Sequence, residues 1–116
     1  MPRDNPLTIS RQQGSAPSTA IYTLTGPVTL PNLPALQAEF RSGDLPSVAI
    51  VDFRAVPYMD SAGIGAIVDY FVHCRNRGAK LLAVGVCSRV HELFRMTRVD
   101  TVIPCFPTAA EAEAQA

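Results

Sequence analysis

The chain has 116 residues, of which 47% are hydrophobic and 17% charged, and its formal net charge is zero. This length fits one domain, and the composition is too apolar for a disordered chain. Duplex binding calls for a basic stripe, and the Arg75–Arg77 pair is too short to make one.

In chain order, residues 1–6 are expected to fray and residues 7–116 to form the domain. "LTISRQ" reads as a short edge strand and "QGSAPS" as a polar turn. "TAIYTLTG" alternates enough for a strand ending at Gly26. "PVTLPNLPALQAEFRSG" turns and enters a helix, with Pro34 in its first turn, Asn32 or Leu33 at the cap and Gly43 as its stop. "SVAIVDF" is apolar on both faces at Val48–Val51, which suits a central strand flanked by helices. "RAVPYMD" follows as a loop, since Pro57 biases Val56 away from helical angles. A helix should begin near Ser61, with Ile64, Ile67, Val68, Phe71 and Cys74 as its apolar stripe and Gly78 as its stop. "AKLLAVGV" is a second buried strand, and "SRVHELFRMT" a short helix capped by Ser88 with Val90, Leu93 and Phe94 inward. "DTVIPCF" holds a last strand, and Thr108 with Glu111 has capping-box spacing before a final helix.

The order β-β-α-β-α-β-α-β-α implies an α/β domain: a mixed sheet of four to five strands with helices packed against it. The loops near Gly26, Pro57 and Gly85 should share one edge, where open sheets place their sites. Three widely spaced cysteines, Cys74, Cys87 and Cys105, read as small core residues in a reducing compartment. No signal-peptide core or membrane-length apolar run is present, so a cytoplasmic location without membrane insertion is expected.

The stretch "YMDSAGIGAIVDYF" carries the functional question. Either Ser61 or Asp60 can cap the helix, and an exposed Ser61 hydroxyl at the helix start can also accept a phosphoryl group. Gly63 and Gly65 cost helix stability, which a close sheet contact or a close partner would explain. Catalysis finds little support. Met59 replaces the glycine of a nucleophile elbow, and His73 lies about 18 Å along the same helix. His91 reads as a surface residue, and Asp52 with Asp60 lacks a third metal ligand at useful spacing. No phosphate-cradling lysine motif or dinucleotide fingerprint exists, so no cofactor is expected.

The segments "VDFRAVPYMDSAGIGAIVDYF", "RGAKLLAVGVCSRVHELFRMTRVD" and "FPTAAEA" resemble the STAS domain of bacterial anti-sigma-factor antagonists. The resemblance covers roughly residues 20–113. It implies a non-enzymatic protein that binds an anti-sigma factor of the histidine-kinase-like ATPase type. That partner phosphorylates the serine after the aspartate, here Ser61, and a serine phosphatase reverses the switch. The implied contact set is Thr29, Met59, Asp60, Ser61, Ala62, Gly63, Gly65, Ser88 and Arg89 on a monomer or weak dimer. Ala62 stands where many members have a second hydroxyl residue, and Thr29 where many have an aspartate used in kinase recognition or phosphotransfer. The same resemblance extends to scaffold and transporter-associated STAS domains that need no phosphorylation.

Overall fold

The computed structural model describes residues 6–116. The expected fraying at residues 1–6 therefore lies, but for Pro6, outside the described residues. The elements run β1 (Thr8–Gln13), β2 (Thr19–Thr25), α1 (Leu33–Phe40), β3 (Val48–Ala55), α2 (Ser61–Asn76), β4 (Lys80–Val84), α3 (Ser88–Met96), β5 (Cys105–Phe106) and α4 (Ala109–Gln115). Short 3-10 turns at Leu30–Asn32 and Val99–Thr101 precede α1 and β5.

The five strands lie in chain order, β1-β2-β3-β4-β5. Only β1 and β2 run antiparallel, and the other pairs are parallel, so the sheet is mixed as expected. β3 sits at the centre. Its alternate residues feed two cores, Ala49, Val51 and Phe53 on one face and Ile50 on the other. The larger core takes Leu36 and Phe40 from α1, Ile64, Ile67, Tyr70 and Cys74 from α2, and Val90 and Phe94 from α3. The far face is covered by α4, which sets Ala112 against Ile50, Leu82 and Val84. At its start Thr108 Oγ1 accepts from the Glu111 N–H at 3.2 Å. At its end Glu113 Oε1 accepts from the Ser15 N–H at 2.7 Å, pinning it to the β1–β2 turn.

Several boundaries differ from expectation. The buried side of α2 turns on Tyr70, whose hydroxyl meets that of Tyr22 at 3.3 Å, while Val68 and Phe71 sit at the margin. Phe40 stacks on the Tyr70 ring at 4.0 Å, which turns that residue inward. The cap of α3 is Cys87, not Ser88, and Ser88 is the exposed first residue of the helix. The cysteines are not three core residues. Cys74 is buried, Cys87 half-buried and Cys105 exposed. Burial pushes the Cys74 thiol above its usual pKa, against a smaller opposing effect of its hydrogen bond with Tyr70.

Candidate functional site

The loops after β2, β3 and β4 meet at one edge of the sheet. The Val28 N–H donates to Tyr58 O and the Asp60 N–H donates to Val28 O, each at 3.2 Å. This parallel bridge between Val28 and Met59 lays the first loop across the start of α2. Gly63 permits the approach, since a Cβ there would stand 2.1 Å from Val28 O. The third loop joins through Cys87, whose Sγ lies 3.6 Å from Val56 O, and through Arg89, whose guanidinium sits 5.1 Å over the Tyr58 ring. Gly85 holds a left-handed φ of 67° and leaves room for the stem of Arg54.

Asp60 caps α2. Its Oδ1 accepts from the Gly63 N–H at 2.8 Å and its Oδ2 from the Leu30 N–H at 3.0 Å. One carboxylate therefore satisfies an orphan donor of the helix and anchors the neighbouring loop. Ser61 is the first helical residue and is exposed. Its Oγ makes no hydrogen bond among the described residues, so of the two cap candidates the aspartate takes the role and the serine is left over.

Gly65 follows Ser61 by one helical turn on the exposed side, and a Cβ there would meet nothing within 4 Å. The two glycines thus differ: Gly63 serves the fold, and Gly65 has no steric reason among the described residues. Ala62 and Met59 are half-buried, Met59 packing on the core, while Ser88 and Arg89 are exposed. Thr29 is half-buried, and its Oγ1 is shut away from solvent with no hydrogen-bond partner among the described residues. The edge thus gathers Thr29, Met59, Asp60, Ser61 and Ala62, and the Arg89–Tyr58 contact ties the start of α3 to it.

Two contributors escaped the sequence reading. Leu30 is 63% exposed and its N–H is held by Asp60, so the loop that the α2 cap anchors carries an exposed apolar side chain. An apolar residue between Thr29 and Pro31, in the turn that leads into α1, was the available signal. Tyr58 had none, because its role depends on Arg89 from a distant helix.

The other polar candidates have structural work. Asp52, 4% exposed, forms an ion pair with Arg54 at 2.9 Å and accepts the Arg54 N–H at the same distance. His73 Nδ1 lies 3.1 Å from Arg77 Nη1, towards the far end of α2 from Ser61. His91 is exposed on α3. Among the described residues no group of three His, Cys, Asp or Glu side chains is placed to hold a metal, and no helix is long and apolar enough to cross a membrane.

Comparison with known proteins matches this geometry to a family. The sequence pattern of the STAS domain matches residues 11–112. The anti-sigma-B factor antagonist of Listeria monocytogenes is 36% identical over 53 residues, which is 46% of this chain and 46% of that protein. The match thus spans about half the length of the curated relative. An anti-sigma factor antagonist from Mycobacterium paratuberculosis superposes with a TM-score of 0.85 at 17% identity, covering 97% of both chains. A sulfate transporter family protein from Wolinella succinogenes gives 0.76 at 24% identity, covering 84% of each chain. The shared fold and the family match over nearly all the described residues lead to one conclusion: the chain belongs to the STAS domain family, a family of non-catalytic domains.

Proposed function

We propose that the chain is an anti-sigma-factor antagonist. It binds an anti-sigma factor that is also a serine kinase of the histidine-kinase-like ATPase type, and phosphorylation of Ser61 ends the complex. One observation carries the reading: Asp60 does the capping, so the exposed Ser61 hydroxyl is free for chemistry. In the transfer, Ser61 Oγ bonds to the γ-phosphorus of ATP, the bond to the β–γ bridging oxygen breaks, and ADP leaves. The hydroxyl proton passes to a base on the kinase. A serine phosphatase hydrolyses the new ester.

The switch follows from electrostatics. A phosphate adds about −1.5 to −2 charge beside the Asp60 carboxylate. Within a docked surface that charge is desolvated and repelled, a cost of several kcal/mol. The exposed Leu30 and the half-buried Met59 give the same surface apolar anchors.

Incubation of the chain with the cognate kinase and ATP, followed by mass mapping, tests the proposal. One phosphate on Ser61, absent in Ser61→Ala, is expected, with complex formation retained by that variant and lost on phosphorylation. Phosphate elsewhere, or none, would overturn it.

Thr29 favours a second reading, in which the domain is an interaction subunit of a scaffold or transporter-associated complex without phosphorylation control. Its enclosed hydroxyl brings no charge to the edge where many kinase-regulated relatives place a carboxylate. The fold it shares with the Wolinella succinogenes sulfate transporter family protein is consistent with that reading. In that case Ser61→Asp would leave partner binding unchanged.

A further inference from the structure

The last strand is too short to cover the one before it. β4 spans Lys80–Val84, yet β5 pairs only with Ala83 and Val84. Residues of β4 alternate between neighbours. Lys80 donates to Ser47 O beside β3, whereas Ala83 donates to Pro104 O and Gly85 to Phe106 O on the β5 side. By this alternation Leu81 points its N–H and C=O to the β5 side, where neither has a backbone partner among the described residues. The cause lies in Pro104. Extending the parallel ladder one step would require the N–H of that residue to reach Leu81 O, and proline has none.

A groove of about 340 Å³ opens beside this edge. Leu81 and Phe71 belong to one face of the sheet and Leu82 and Phe106 to the other, so the groove straddles the sheet margin. Val102, 48% exposed, lies along it. Arg75 and Lys80 also line it, the Arg75 guanidinium 5.8 Å over the Phe71 ring, and among the described residues no carboxylate side chain lines it.

We propose that this margin is a second docking site, which takes an extended segment of a partner protein with apolar side chains alternating with carboxylates. The segment adds as a short strand, its backbone pairing with the Leu81 N–H and C=O. Strand alternation sends its apolar side chains to the α2 face, against Phe71, and its carboxylates to the opposite face, on the side of Lys80, while Arg75 adds to the positive field at the margin. The two sites are separate, since Arg75 is fourteen residues along α2 from Ser61, about 21 Å at 1.5 Å per residue.

The test titrates the full isotope-labelled chain with an acetylated, amidated heptapeptide of alternating valine and glutamate, observed by amide NMR. The Leu81, Val102 and Phe106 amides should shift while those of Ser61 and Gly65 stay in place, and salt should weaken the effect. The double variant Arg75→Glu with Lys80→Glu changes two exposed side chains and should fold normally by circular dichroism, yet bind at least about tenfold more weakly. A peptide N-methylated at its central residues should not bind. Unmoved amides at millimolar peptide, or equal binding of a valine–lysine peptide, would overturn the proposal. So would shifts of the same amides with protein concentration alone, which would assign the margin to a second copy of the chain.

Discussion

Gly63 and Gly65 stand two residues apart in one helix turn, and the structure gives their replacement opposite signs. At Gly65 an added Cβ meets open space, so alanine gains its helix propensity, about 1 kcal/mol. That corresponds to a rise in melting temperature of roughly 4 °C for a domain of this size. At Gly63 the added Cβ lies 2.1 Å from Val28 O, a backbone atom fixed by the Asp60 N–H. Relief requires the loop and helix to separate, a cost of about 3 kcal/mol and a fall of roughly 12 °C. Urea and thermal unfolding of Gly63→Ala and Gly65→Ala, each against the parent, read the difference directly. If the proposed partner docks on this face of α2, the same Gly65→Ala protein should bind it less tightly, because a methyl group would stand between the surfaces, and Gly65→Leu should lose about tenfold or more. Two alanine variants that shift stability in the same direction would refute the described docking of α2. A Gly65→Leu protein with full affinity would remove the α2 face from the interface.

Other outcomes follow from the same geometry. Asp60→Ala should cost about 1–2 kcal/mol in urea unfolding, since it removes the α2 cap and the Leu30 anchor, whereas Ser61→Ala should stay within about 0.5 kcal/mol. A reversed order would make the serine the cap. Thr29→Val replaces an enclosed hydroxyl without a partner by a methyl group and should be neutral or stabilising by about 1 kcal/mol, read by the same unfolding curves. The Glu113 carboxyl is held below its usual pKa by hydrogen bonds from the Ser15 side chain and backbone. A lowered folded value means its contribution is present above the ordinary glutamate pKa of about 4.3 and is lost as pH falls through the folded value. Acid unfolding of Glu113→Gln should show a smaller loss of stability over that range, and an unchanged slope would refute the link.

The element order was legible because apolar runs and glycines mark it clearly. Val48–Val51 is apolar on both faces, and Gly26, Gly43 and Gly78 each adopt positive φ where a strand or helix ends. The site was legible as a segment but not in its division of labour. Asp60 and Ser61 both carry capping chemistry, and which one is engaged shows only in the structure, where Asp60 takes the Gly63 N–H and also that of Leu30, thirty residues away. The roles of the glycines were equally hidden, since Gly63 depends on Val28 across a bridge and Gly65 on the absence of any neighbour. Tyr70 was missed on the buried side of α2 because its orientation is set by Phe40 and Tyr22 from other elements. The α3 cap failed for a simpler reason: Ser88 is a favoured cap residue, but the backbone leaves the extended region one position earlier, at Cys87.

The single helix on the far face has a kinetic corollary. Because α4 follows every strand in the chain, a growing polypeptide presents Ile50, Leu82 and Val84 bare before their cover has been made. The latch between Ser15 and Glu113 spans 98 positions, so it forms late on grounds of loop closure. Nascent chains should therefore pass through a sticky intermediate with one finished layer, in which chaperone capture or premature aggregation is decided by how quickly seven residues wind into place.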